Sequence, residues 1–276
     1  MYLNSASSKS ISSCYSAPNP SQTIPYYEKQ HLNYLDKIAT NESVSLPISR
    51  NTDDFNEFKK SYSEEYLEKE TALDIDEQIQ LFNKTLSFNN MNFVDWFALQ
   101  DYKHAGYVKI NQALRENILS LSDYPAEIKQ LYLALMHQTL LQSMESKYEG
   151  IIYRGEIRDI NFTNLLNKGD TLKTKAFWST STNQETARYF CCDTNDLNPN
   201  QYNVFYLIEN NSPYSGSNIS KILRDGKEEF LFLPNTEFKI VDTHRDEKNK
   251  TINVRLEAYP TTEYALIEKI HQIIFP

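Results

Sequence analysis

The 276-residue sequence has few cysteines and no long apolar run. Its cysteines are Cys14, Cys191 and Cys192, and because two of them are adjacent they cannot build a disulfide framework, so a reducing compartment is expected. Residues 1–25 lack the apolar core of a secretory signal, and nowhere do about twenty apolar residues follow one another. The sequence therefore predicts a soluble, intracellular protein without a membrane partner, although secretion without a cleaved signal would leave no trace in it.

The chain also lacks a basic excess and the common catalytic motifs. It carries 28 Lys and Arg against 37 Asp and Glu, a net charge of −9, so nucleic acid is not expected as a partner. Its six glycines form neither a GxGxxG nor a Walker sequence. Its five histidines are scattered, without HExxH or CxxC, so no metal site is predicted.

The first half of the chain is predicted to be helical. Residues 1–25, rich in Ser, Asn and Pro, predict a disordered tail. Residues 26–148 have the three- and four-residue apolar spacing of a helical lobe. Its longest helix is expected over about residues 123–146, with Asp123 as its N-cap and Pro125 in its first turn. The apolar positions of this pattern are Phe55, Phe58, Tyr62, Tyr66, Tyr107, Ile110, Leu114, Ile118, Ile128, Leu131, Leu135 and Leu141.

After Gly150 the pattern changes to short β-rich segments. It predicts a β core over residues 149–260 and a C-terminal helix, packed on that core, within residues 261–276. Helices first and strands later is the order of an α+β fold. The predicted strands are 151–154, 176–179, 202–209, 229–233, 238–242 and 251–259, and short helices are expected around 161–167 and 183–190.

Two β-rich segments end in side chains that could bind a ligand. Arg154 ends an apolar strand, where its planar guanidinium could anchor a phosphate or carboxylate, or make a salt bridge at the end of the sheet. Gly155 follows, and a glycine lets a ligand approach the backbone closely. Ser179, Thr180 and Ser181 end the next apolar strand, where hydroxyls could serve a site or cap the following helix.

A third segment opens an apolar strand with two carboxylates, Glu228 and Glu229. Because neighbouring side chains in a strand face opposite sides, only one of the two should enter a given cleft. An acidic pair at the start of a strand can also be solvated on both sides, so this segment alone does not define a site.

The ordered set of Arg, then Ser-Thr-Ser, then Glu resembles the mono-ADP-ribosyltransferases of the Arg–Ser–Glu class, which includes bacterial toxins and effectors. The resemblance runs from about Trp96 to Tyr259 and includes residues 102–115, similar to the tyrosine-containing helix of that family. It implies a helical N-terminal lobe followed by a split β-sandwich core of two small sheets. NAD, the co-substrate, would lie in the cleft between the sheets, and no metal would be needed.

The resemblance also assigns roles. Glu229 would stabilise an oxocarbenium-like state of the ribose, Ser179 would orient Glu229, and Arg154 would hold the NAD phosphates. One carboxylate can suffice because nicotinamide already carries positive charge as a leaving group. Gly155 would present its backbone to the nicotinamide amide. The remaining NAD-binding candidates are Tyr102, Thr180 and Ser181.

The sequence departs from the family two positions before Glu229. Arginine-modifying members of the family have a Glu-x-Glu motif there, and its first glutamate stands at the position of Lys227. A lysine is a cation that would repel an arginine acceptor. Lys227 and Glu228 are therefore the acceptor-recognition candidates, in a loop over residues 221–228 that should read the substrate. Either Glu228 turns inward, or the target supplies a carboxylate, or the acceptor is not arginine.

The expected activity is transfer of ADP-ribose from NAD to a side chain of a target protein, by a bacterial effector or toxin delivered into a host cell. Two alternatives remain open. The chain could be an NAD glycohydrolase, which uses water as acceptor, or a binding module that has lost turnover. The helical lobe could cover one wall of the NAD cleft, bind the target or support the core.

Overall fold

A computed structural model describes residues 55–56, 58–60, 73–84, 91–116, 126–141, 150–192 and 194–274. The predicted tail, the Asp123 cap with Pro125, and Tyr62, Tyr66 and Ile118 of the apolar pattern lie outside these residues. In the first half, helices α1 to α4 span Ile75–Lys84, Phe93–Asp101, Tyr107–Glu116 and Ala126–Leu141, and a π-helical turn, Tyr102–Gly106, joins α2 to α3.

Among the described residues, the second half contains the strands, four further α-helices and a short 3-10 helix, Thr194–Asp196. Strands β1 to β8 span Gly150–Asp159, Thr171–Lys173, Trp178–Ser181, Gln201–Asn210, Gly216–Asn218, Glu229–Phe232, Glu237–Asp246 and Thr251–Ala258. Helices α5 to α8 span Ile160–Thr163, Gln184–Arg188, Ile219–Leu223 and Glu263–Ile274.

The strands form a sheet with the order β2-β7-β8-β4-β1-β3-β6-β5. Strand β1 pairs with β4 over its whole length, but it meets β3 at one pair of residues, Tyr153 and Ser181. This joint divides the sheet into a five-stranded half, β2-β7-β8-β4-β1, and a three-stranded half, β3-β6-β5. The α+β class with a split β core is confirmed, and the two halves remain connected as one sheet at this joint.

Several predicted strand boundaries are wrong, because the observed strands are longer. Strands β1 and β7 run to Asp159 and Asp246, well beyond the predicted segments. In the extension of β1 a buried acid, Glu156, stands beside an exposed Ile157, so polarity does not follow burial there. The extension of β7, residues 243–246, is polar and only partly buried, so neither extension shows an apolar run. Strands β2 and β5 and helix α7 were not predicted, since three to five residues are too few to show a period.

The helical lobe packs against the three-stranded half of the sheet. One apolar cluster contains residues of α2 and α4 together with Phe177, Leu231 and Leu233. Helix α4 is nearly inaccessible along its middle, where the predicted positions Leu131 and Leu135 are 0% exposed. The lobe therefore supports the strands that carry two of the predicted catalytic residues, and the domain boundary near residue 149 stays a prediction.

Polar contacts add to this packing. The Tyr132 hydroxyl donates to the carbonyl oxygen of Pro234 at 3.3 Å, and the hydroxyls of Thr139 and Ser217 lie 2.6 Å apart. A second apolar cluster, with Ile152 among its fully buried members, fills the other side of the sheet. None of the helices in the described ranges combines the length and apolar character needed to cross a bilayer.

Candidate active site

The candidate site lies where the two halves of the sheet separate. Beyond the joint at Tyr153 and Ser181, β1 continues with Arg154 while the antiparallel β3 runs back towards Ser179. The Arg154 guanidinium spans the opening, and its Nη1 donates a hydrogen bond to the carbonyl oxygen of Ser179. The side chain thus makes the connection between β1 and β3 at the point where the ladder of backbone pairs has ended.

Ser179 and Glu229 are joined across β3 and β6. In this antiparallel pair Ser181 stands opposite Glu229, and Ser179 stands opposite Leu231, so Ser179 is the diagonal neighbour of Glu229 on the same face. The Ser179 hydroxyl donates to Oε1 of Glu229. The Glu229 side chain is 23% exposed, so a ligand can reach it. Glu228 is exposed to solvent, which agrees with the prediction that only one of the two carboxylates enters the cleft.

Arg154 is held in place by a buried acid. Its Nε and Nη2 donate to Oε2 of Glu156 at 3.0 and 2.9 Å, and its Cζ lies 5.4 Å from the centre of the Trp178 ring. Glu156 also accepts from Arg158, whose Nε lies 2.8 Å from Oε1, and from the Tyr206 hydroxyl at 2.9 Å. Two arginines around one carboxylate leave a net positive charge, which suits an anion.

The ionisation of Glu156 follows from these contacts. Burial alone would raise its pKa, but the charges and hydrogen bonds of Arg154 and Arg158 outweigh burial, and the pKa of Glu156 lies below its ordinary value. The carboxylate is therefore ionised at neutral pH and can orient Arg154. The Arg154 side chain is 21% exposed, and each Nη keeps one N–H beyond the contacts described, which a phosphate could accept.

The π-helical turn between α2 and α3 brings Tyr102 to the site. This side chain is 2% exposed, and its hydroxyl oxygen accepts from Nδ2 of Asn111 at 3.1 Å. Burial raises the pKa of Tyr102 to about 12, and the nearby charge of Glu229 adds to the effect, whereas hydrogen bonding with Asn111 and Ser179 opposes it. The Tyr102 side chain is therefore uncharged at neutral pH and lines the site.

The next residue in that turn, Lys103, contacts the predicted catalytic carboxylate. Its Nζ lies 3.2 Å from Oε2 of Glu229 and 3.1 Å from Oγ of Ser220, and it also contacts Oδ2 of Asp225. The Ser220 hydroxyl oxygen in turn accepts from the backbone N–H of Glu229 at 3.0 Å. Our sequence analysis did not identify Lys103, Ser220 or Asp225 as site residues. A π-helical turn at a functional site is a recurrent feature, but its contacts across more than a hundred residues leave no local sequence signal.

Three other predicted NAD-binding residues have structural roles in the described chain. A Cβ added to Gly155 would meet the carbonyl oxygen of Ala187 at 2.1 Å, so glycine is required here to pack α6 against β1. The Thr180 hydroxyl donates to the carbonyl oxygen of Phe230 at 2.7 Å, and the Ser181 hydroxyl oxygen accepts from the N–H of Asn183 at 3.0 Å. These bonds do not test NAD binding, which stays a prediction for all three.

The predicted acceptor-reading loop lies beside Glu229. Lys227 is exposed to solvent, and its backbone N–H donates to Oδ1 of Asp225 at 3.0 Å. Within the described residues, no group of three or more His, Cys, Asp or Glu side chains is arranged to hold a metal ion. A cavity of about 150 Å³ lies elsewhere, between the β8–α8 and β6–β7 connections, and its lining includes none of Arg154, Ser179 and Glu229.

Comparison with known families identifies the class of this fold and site. The model of the NAD:arginine ADP-ribosyltransferase family matches residues 28–262. The chain belongs to this family, which confirms the resemblance found in the sequence.

Among individual proteins, the chain is similar to Vis, an ADP-ribosyltransferase toxin of Vibrio splendidus, with 29% identity over 158 residues. That alignment covers 57% of this chain and 62% of the length of Vis. The Vis crystal structure superposes with a TM-score of 0.50 and 23% identity, over 72% of this chain and 91% of that one. The crystal structure of the ADP-ribosyltransferase HopU1 of Pseudomonas syringae pv. tomato DC3000 superposes with a TM-score of 0.51 and 19% identity, over 68% of this chain and 88% of that one. These two superpositions show that the fold is shared.

Proposed function

We propose that this protein is an NAD-dependent mono-ADP-ribosyltransferase that transfers ADP-ribose to a side chain of a target protein. The observation that carries the proposal is the continuous contact from Arg154 through Ser179 to Glu229 at the opening between β1 and β3. Three distant segments bring a cation, a hydroxyl and a carboxylate together there, in the order that the family uses.

Glu229 supplies the electrostatic stabilisation. Cleavage of the nicotinamide–ribose bond leaves positive charge on the sugar, and a carboxylate fixed beside it lowers the barrier. The Ser179 hydroxyl and the Lys103 ammonium each hold one oxygen of Glu229, so the carboxylate is oriented before substrate binds. A preorganised charge needs no rearrangement during the reaction.

Arg154 anchors the phosphates of NAD. Its guanidinium is fixed by Glu156 and Trp178 but keeps N–H groups on its exposed side. Arg158, bound to the same carboxylate, adds a second positive charge near the opening. These residues fit a dinucleotide whose charge resides on its phosphates, and the reaction scheme requires no metal.

The acceptor is a protein side chain recognised by residues 221–228, among them Lys227 and Glu228. The family is named for an arginine acceptor. An exposed Lys227 directed into solvent would be screened and would not exclude a cationic acceptor. Because Vis is a toxin, we further propose that this chain is a bacterial toxin or effector that acts inside a host cell.

A second candidate function is NAD glycohydrolase. It is favoured by Lys227, which stands at the position of the first glutamate in the Glu-x-Glu motif of arginine-modifying relatives. Without a group that binds the acceptor, water would take its place at the ribose. The two functions share the NAD site and differ only in the nucleophile that attacks the ribose, a protein side chain or water.

Labelled NAD separates these functions in one experiment. The full chain is incubated with NAD carrying label on its adenylate part, together with a host-cell lysate, and both labelled protein and released nicotinamide are measured. The proposal expects a labelled protein band that disappears with Glu229→Gln. Nicotinamide release without labelled protein would favour the glycohydrolase. The absence of both signals would contradict both functions.

A further inference from the structure

The loop before β6 carries an acid that stands four positions before Glu229, namely Asp225. Oδ2 of Asp225 accepts a hydrogen bond from Nζ of Lys103, the atom that also lies 3.2 Å from Oε2 of Glu229. Because both carboxylates contact one nitrogen atom, Asp225 and Glu229 are neighbours in space. The site therefore has a second carboxylate beside the catalytic one, although position 227 does not supply it.

The backbone places Asp225 there by a reversal of the chain. Arg224, which ends α7, has a φ of 56°, and Gly226 has a φ of 72°, so Asp225 lies between two left-handed residues. Helices commonly end in this way, since a left-handed residue turns the chain sharply. The backbone N–H of Lys227 then donates to Oδ1 of Asp225, which fixes the carboxylate orientation.

The charges of this group favour a cationic acceptor. The Lys103 side chain is 7% exposed, whereas those of Asp225 and Glu229 are 24% and 23% exposed, so a ligand reaches the two acidic side chains more readily than the lysine. Two negative charges and one positive charge leave the group with a net charge of −1. Lys103 also helps to hold the pKa of Asp225 below its ordinary value: burial alone would raise that pKa, but the hydrogen bonds from the Lys103 ammonium and the Lys227 N–H outweigh burial.

The cations of the loop do not cancel this preference. Lys221, Arg224 and Lys227 are all exposed, where water and salt screen their charges. A guanidinium is planar and can donate two parallel hydrogen bonds, so it suits a pair of partly exposed carboxylates.

We propose that Asp225 is the acceptor-recognition carboxylate of this protein and that it binds the guanidinium of an arginine acceptor beside Glu229. This inference rests on the proposed function and names the residue that binds its acceptor. In this role Asp225 takes the place of the first glutamate of the Glu-x-Glu motif, which in arginine-modifying relatives stands at the position of Lys227.

The test compares two reactions of the full chain with NAD. Nicotinamide release without acceptor measures hydrolysis, and mass spectrometry of ADP-ribosylated free arginine measures transfer, with citrulline as an uncharged acceptor of the same shape. For Asp225→Asn we expect the ratio of transfer to hydrolysis to fall at least about tenfold, since a hydrogen bond to a charged group is worth one to two powers of ten. Asp225→Glu, which keeps the charge, should recover part of this ratio.

Asp242→Asn is the matched control, because it removes the same charge from an exposed position on β7. It should leave the ratio unchanged. An unchanged ratio in Asp225→Asn, or an equal loss of both reactions, would overturn the inference, as would a wild-type chain that hydrolyses NAD but gives no arginine adduct. A wild-type chain with neither reaction would instead overturn the proposed function, and the inference with it.

Discussion

The Ser179 hydroxyl donates a hydrogen bond to Oε1 of Glu229 diagonally across β3 and β6. This bond fixes one oxygen of the carboxylate that we assign to catalysis. It depends on strand register, because a shift of β6 by one residue would turn Glu229 to the opposite face of the sheet. The pair therefore connects the fold directly to the chemistry.

Replacing Ser179 with alanine should lower turnover more than NAD affinity. The carboxylate would remain but lose one of its two orienting contacts, so kcat for nicotinamide release should fall about tenfold, the effect of a lost hydrogen bond to a charged group. Steady-state kinetics measure both parameters. Thr171→Ala, on the edge strand β2, is a control that should change neither. A raised KM with unchanged kcat would show that Ser179 binds NAD instead of orienting Glu229.

Arg154→Lys should mainly raise the KM for NAD. Lysine keeps the charge but cannot bind Glu156, the Ser179 carbonyl and a phosphate together, because it lacks the planar fork of arginine. We expect an increase of at least about tenfold, measured by nicotinamide release at varied NAD concentration. Arg255→Lys alters an exposed pair with Glu209 and should have no such effect. An unchanged KM in Arg154→Lys would remove the anchoring role.

Lys103→Met should slow hydrolysis and transfer together. Methionine fills much of the same space but removes the cation that Asp225 and Glu229 share, and with it a hydrogen bond and a charge that hold the pKa of Asp225 below its ordinary value. The pKa of Asp225 should rise, so the acid limb of the pH–rate profile of transfer should move to higher pH, and Lys103→Arg should partly restore it. Lys173→Met, which breaks an exposed pair with Glu237, is the control. A profile that does not move would mean that Lys103 only supports packing.

Glu156→Gln should reduce the sensitivity of the fold to acid. The folded-state pKa of Glu156 lies below the ordinary value of 4.5, so its contribution to stability is fully present above pH 4.5 and is lost as the pH falls through the folded-state value. Melting temperatures between pH 7 and pH 3 should thus fall less steeply in Glu156→Gln than in the wild-type chain. Equal slopes would show that the charge of Glu156 does not stabilise the fold.

The sequence predicted these three candidate residues although Arg154 and Ser179 lie inside their strands, β1 and β3. Arg154, Ser179 and Glu229 stand at the places where an apolar run meets polar residues, and the family order connected them. The alternation of side chains also separated Glu228 from Glu229 correctly.

Contacts that join distant segments could not be predicted in this way. Lys103 lies in a π-helical turn, and Asp225 lies in a loop between α7 and β6, so no period or motif connects them. The packing role of Gly155 was not predicted either, since it comes from the carbonyl of Ala187, which occupies the space of a side chain there. Packing of this kind appears only once α6 is placed on β1.

The most direct test of the central assignment is a crystal structure of the full chain with NAD, prepared with Glu229→Gln to prevent turnover. Our account predicts the NAD phosphates at the Arg154 guanidinium and the nicotinamide ribose within hydrogen-bond distance of residue 229. A dinucleotide bound elsewhere, or bound with its nicotinamide ribose away from Ser179 and residue 229, would contradict the account.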